Sequence, residues 1–99
     1  MVAQKIRDFA DKRTNNIEVA DEIEKELAEM FNEIVSYCIS GGAFKPFRSV
    51  GDVEFFLVPA SGCLSIRVNV NGCEKKHLCF EREFSEDKAK SQFLKLLDF

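Results

Sequence analysis

The stretch VEFFLVPASGCLSIRVNV, Val53 to Val70, changes the period of the chain from helical to two and decides the fold. Val53, Phe55 and Leu57 alternate with Glu54, Phe56 and Val58. Leu64, Ile66 and Val68 then alternate with Ser65, Arg67 and Asn69. Between the two runs lies Pro59-Ala60-Ser61-Gly62, a turn by composition, so the stretch reads as a β-hairpin. If Val58 faces Cys63 across the turn, Leu57 meets Leu64, Phe55 meets Ile66 and Val53 meets Val68. Glu54 then lies opposite Arg67 on the other side, so apolar pairs and an ion pair agree on one register.

Downstream, the segment VNVNGCEKKHLCF contains an Asn-Gly pair and a third alternating run. A two-residue Asn71-Gly72 turn drives Lys75 and His77 toward the core. A three-residue loop, Val70 to Gly72, with Gly72 left-handed, places Leu64 opposite Leu78 and brings Phe80 to the core side. The cost of burying Lys75 favours the longer loop. That register puts Cys63 opposite Cys79 and Ser65 opposite His77. Ser85 then caps a last helix with Glu86 and Asp87 at its electropositive end, and Ala89, Phe93, Leu96 and Leu97 form its buried stripe.

Upstream, Ile17, Ala20, Ile23, Leu27, Met30, Phe31, Ile34 and Cys38 hold a helical stripe, closed by Gly41-Gly42. Asn15, three residues before Glu18, gives this long helix a capping-box start. A shorter amphipathic helix spans Val2 to Lys12, and AFKPFRSVGD reads as a connector. The expected fold is α+β: short N-terminal helix, long helix, three-stranded antiparallel meander, C-terminal helix, in one domain of residues 1–99. Residues 1–14 are the segment that could attach loosely.

With 99 residues the chain has room for one core, and ten Phe can fill it. Acids and bases are interspersed at a formal charge of −3, which argues against a whole-protein basic footprint for DNA or RNA. No apolar run approaches the ~20 residues that cross a bilayer, and MVAQKIRDFADKR lacks the apolar centre of a signal peptide. Four cysteines without a CxxC pair point to free thiols and a cytosolic setting, in a cell or an infected host.

Motifs of reaction chemistry are missing: no GxSxG, no phosphate-binding glycine loop, no HExxH. The chain therefore reads as non-enzymatic and without a cofactor. Cys63, His77 and Cys79, together on one sheet face, are the candidate soft ligands for a metal, against the simpler reading of small residues covered by the N-terminal helix. Phe56 and Val58 share that face. The favoured expectation is that Ile6 and Phe9 pack on them, the alternative being a partner-binding patch. The long helix carries Glu18, Asp21, Glu22, Glu26, Glu29 and Glu33, which make a solvated face or an acidic docking surface for a basic groove.

From Val53 to Leu97 the order of elements resembles the C-terminal part of a double-stranded-RNA-binding domain. IRVNVNG resembles that family's second strand, and Ser85, Ala89 and Lys90 match the Ser-Lys-Lys-x-Ala-Lys motif that opens its final helix. Glu86 and Asp87 replace the two lysines that meet phosphates, and Pro59 to Gly62 lacks the family's histidine. The resemblance therefore implies topology rather than RNA contact. A nucleic-acid reading would rest on Lys75, Lys76, Lys88 and Lys90. The favoured expectation is a protein partner for a small acidic adaptor or inhibitor. In general build such chains resemble phage-encoded anti-defence proteins, including anti-CRISPR inhibitors.

Overall fold

The computed structural model describes residues 2–82 and 85–99; Met1, Glu83 and Phe84 lie outside that description. Three helices pack on one side of a four-stranded antiparallel sheet. The helices are α1 (Val2–Arg13), α2 (Ile17–Ser40) and α3 (Glu86–Leu96), and the strands are β1 (Phe47–Val50), β2 (Val53–Ala60), β3 (Cys63–Val70) and β4 (Cys73–Glu81), in spatial order β1-β2-β3-β4. The expected three strands become four because FRSV, read as connector, pairs with β2, with Arg48 opposite Phe55 and Val50 opposite Val53. Gly51, at φ 63°, supplies the left-handed first position of the tight turn that joins them.

Both expected registers shift, and both keep their core face. The first hairpin closes on Ser61-Gly62 alone, so Ala60 faces Cys63, Leu57 faces Ile66 and Phe55 faces Val68. The slide is two residues, which preserves parity. Glu54 now meets Asn69 instead of Arg67, and Arg67 meets Phe56. The second hairpin uses the two-residue turn after all: Val70 pairs with Cys73, and Asn71 and Gly72 both have positive φ, 52° and 81°. A bulge then reverses the parity. Asn69 pairs with Glu74 but Val68 with Lys76, leaving Lys75 unpaired. Phe80 reaches the core by this route, with Leu78 packed at its margin.

The core lies between sheet and helices. Val53, Phe55, Leu57, Leu64, Ile66, Val68 and Phe80 meet Leu27, Met30, Ile34, Phe93 and Leu96, all essentially without exposure. Ile17, assigned to the stripe of α2 by spacing, is exposed at its first position. The cap of α2 is Asn16, not Asn15: its side chain accepts from the N–H groups of Glu18 and Val19. At the other end Gly41 turns left-handed and its N–H bonds to the Tyr37 carbonyl, the 5→1 bond of an αL closure, while Gly42 N–H bonds to the Ser36 carbonyl. A Cβ on Gly42 would lie 2.1 Å from Ser36 Oγ, so any larger residue there must turn that hydroxyl away.

Helix α1 buries Ile6, Phe9 and Ala10 within the same core and is pinned to α2 by Arg7, whose guanidinium lies 2.6 Å from Asp21 and 3.4 Å from Glu24. It therefore shares the helical layer instead of covering the far side of the sheet. No helix among the described residues is long and apolar enough to cross a membrane.

Candidate functional site

Strand β1 alternates, so Arg48 and Val50 point inward while Phe47 and Ser49 point out. Arg48 is 3 % exposed, directly beneath the acidic stripe of α2. Its Nη1 lies 2.6 Å from Glu26 and 3.8 Å from Glu29, and its Nη2 donates to Glu33. Glu33 also accepts from the backbone N–H of Lys45. Burial pulls the Glu33 carboxyl up, but Arg48 and the Lys45 N–H outweigh it and hold the carboxyl below its ordinary value. Burial pulls Arg48 down, and Glu33 with Glu26 raises it above the ordinary guanidinium. Much of the expected acidic docking face is thus engaged internally: Glu26, Glu29 and Glu33 hold Arg48, and Asp21 holds Arg7. Glu18 and Glu22 have no ion-pair partner among the described residues.

The opposite face of the sheet is uncovered. Phe47, Phe56, Arg67 and His77 form one row across all four strands. The rings of Phe47 and Phe56 lie 5.1 Å apart, and the Arg67 guanidinium stands 5.4 Å from the Phe56 centroid. Phe47 is 45 % and Val58 51 % exposed, because Ile6 and Phe9 turn to the helical layer, where Phe9 meets the ring of Phe99 at 5.5 Å. The expected packing of Ile6 and Phe9 on Phe56 and Val58 does not occur.

Cys63 and Cys79 also lie on this open face. Cys63 is opposite Glu81 and Ser65 opposite Cys79, so the expected direct pairs become diagonal ones. Ser65 Oγ still reaches His77 Nε2 at 2.5 Å, and the Cys63 and Cys79 thiols influence one another across the strands. Desolvation, then Cys79 and Glu81, push the Cys63 thiol up, away from thiolate character. All four cysteines are free. Among the described residues no three His, Cys, Asp or Glu side chains converge on a point that would hold a metal, Cys63, His77 and Cys79 included.

The four candidate nucleic-acid lysines divide into two pairs. Lys75 and Lys76 flank the bulge near the start of β4. Lys88 and Lys90 belong to α3, and Lys88 Nζ lies 3.8 Å from Glu81 near the end of that strand. Six residues of strand separate Lys75 from Glu81, roughly 20 Å. The chain makes no single basic patch of them, and Glu86 and Asp87 occupy the first turn of α3.

Phe47, and Arg48 as an inward-pointing strand residue and not a surface cation, are what reading FRSV as connector missed. Val50-Gly51-Asp52-Val53, a Gly-Asp pair between β-branched residues, is the hairpin signal that could have found them. No protein-family model, curated protein or solved structure matches this chain.

Proposed function

We propose that this chain is a non-enzymatic protein-binding module, a small intracellular adaptor or inhibitor of the phage anti-defence kind, and that it docks its partner on the open sheet face. The supporting observation is the Phe47–Phe56 pair with Val58, apolar groups left outside a core that had helices available to cover them. Arg67, lying along Phe56 with its side chain 49 % exposed and Glu74 3.9 Å away, supplies a strong cation in the middle of that face. The fitting partner is a protein surface with aliphatic side chains over Phe47 and Val58 and a carboxylate over Arg67.

Three strands of eight or nine residues and one of four, spaced at ~4.8 Å, give a footprint of roughly 450 Å². That is below the ~800 Å² per partner of a standard interface, so the contact extends over the rim or remains a transient one. Ser65 and His77 touch, but among the described residues no carboxylate is bonded to the imidazole, so this reading assigns the pair no nucleophile-and-base role.

Photo-crosslinking tests the reading. A benzoylphenylalanine at Val58 should capture a discrete protein from the native host extract, and the same group at Glu18, on the helical side, should not. Equal capture from both positions, or unchanged capture from Val58 when Phe47→Glu and Phe56→Glu are added, would remove the sheet face from consideration.

A further inference from the structure

The two edges of the sheet differ in what they offer to another chain. The bond from Leu57 N–H to the Pro46 carbonyl fixes which residues of β1 point inward along the ladder. Pro46 is opposite Leu57, so Arg48 and Val50 also exchange hydrogen bonds with β2. Phe47 and Ser49 then direct their N–H and C=O groups away from β2, to the side where no strand follows. No side chain or helix of the described residues bonds them.

Beside this edge runs a groove of about 460 Å³, between α2 and β1, lined by Val19, Glu22, Ile23, Glu26 and Glu29 on the helix and Ser49 to Gly51 on the strand. Lys25 is the one cation of the lining, against three carboxylates. Glu26 and Glu29 present Oε2 to Arg48, and both side chains are more than two-fifths exposed, at 43 % and 45 %. Glu22 is exposed and unpaired among the described residues.

We propose that the free edge of β1 and the acidic groove beside it dock an extended basic segment of a partner protein, which adds to the sheet as a fifth strand. A strand laid ~4.8 Å beyond β1 meets the outward N–H and C=O groups of Phe47 and Ser49. Its alternate side chains then project over α2, toward Glu22, Glu26 and Glu29. The chemistry required there is lysine or arginine at every second position, with uncharged residues between them on the Phe47 side. The β4 edge suits such a segment poorly, because the bulge and Lys75 and Lys76 blunt it with positive charge. This edge borders the open face at Phe47 but uses its backbone and the α2 carboxylates, so the test below can fail or succeed independently of docking on Phe56 and Val58.

Fluorescence anisotropy with short labelled peptides of alternating lysine and valine, or alternating glutamate and valine, tests the assignment at ~50 mM and ~150 mM salt. The lysine peptide should bind and weaken with salt, and the glutamate peptide should not bind. Glu22→Lys, which leaves the Arg48 cluster intact, should weaken the lysine peptide about tenfold. Ser49→Pro removes only an outward N–H and should weaken it as well, with an unchanged circular dichroism spectrum. Amide exchange at Phe47 and Ser49 should slow in the complex. A lysine peptide N-methylated at every valine should lose binding; if it binds as well as the parent, attraction is purely coulombic and the fifth strand is refuted. Absence of binding at ~50 mM salt would overturn the proposal outright.

Discussion

Replacing Arg48 by Met removes one cation from among three carboxylates while keeping most of the side-chain volume. Breaking a buried ion pair from one side costs about 3–5 kcal/mol when the orphaned charges are fully desolvated. Here the guanidinium is the buried partner, and Glu26, Glu29 and Glu33 keep side-chain exposures of 43 %, 45 % and 26 %. They can turn to water, so about 2–3 kcal/mol is expected, a fall in Tm of roughly 10–20 °C for a domain of this size. Urea unfolding followed by circular dichroism at neutral pH measures it. The pH dependence is the sharper readout. In the native chain Glu33 is held below its ordinary value; stability from that group is complete above the unfolded pKa of ~4.3 and declines as pH falls through the lower folded one. Without Arg48 the Glu33 carboxyl keeps the burial that pushes it up and faces Glu26 and Glu29 uncompensated, so its folded pKa rises and stability should increase as pH falls toward 5. Adding Glu26→Gln and Glu33→Gln to Arg48→Met should recover about half of the loss. A variant that melts within ~3 °C of the parent, or that keeps the parental slope with pH, would show that Arg48 does not organise this edge.

Other consequences are simpler to check. Asn16→Ala leaves the N–H groups of Glu18 and Val19 without an acceptor and should cost ~1 kcal/mol by urea midpoint, whereas Asn15→Ala should cost nothing measurable. Gly72→Ala forces a side chain into a left-handed turn position and should cost ~1 kcal/mol or more in the same assay. Val58→Ser on the open face should move stability by no more than ~0.5 kcal/mol, since it removes no core contact. Titration against duplex RNA at ~50 mM salt should give no salt-sensitive binding, because the two lysine pairs sit about a strand length apart; micromolar binding that collapses by ~150 mM would reverse this.

The helices were legible because their signals are local. The buried positions of α3 follow the spacing of Ala89, Phe93 and Leu96, and the α2 stripe needed only Ile17 removed. The core face of the sheet was legible for a related reason: period-two patterning survives a slide of two residues, so Phe55 and Ile66 are inward in either register. What failed were choices between near-equivalent turns. Pro59 and Ala60 belong to β2 because continued pairing with β3 outweighs their turn propensity. β1 was missed because four residues with an Arg at an inward position do not look like a strand. That Arg becomes intelligible only when Glu26, Glu29 and Glu33, a sequence-distant stripe, are brought over it. The open face was misjudged for the same kind of reason, since helix patterning shows which side of α1 is apolar but not which neighbour it meets.

Lys75 carries a consequence for how this chain could vary. The Asn-Gly turn and the apolar residues of β4 demand opposite phases, and a single extra residue reconciles them. Deleting Lys75 would act like a frameshift in three dimensions, leaving every remaining side chain chemically unchanged but forcing a choice between the turn and the burial of Phe80. A substitution at the same position touches neither. The bulge should therefore accept many identities and no change in length.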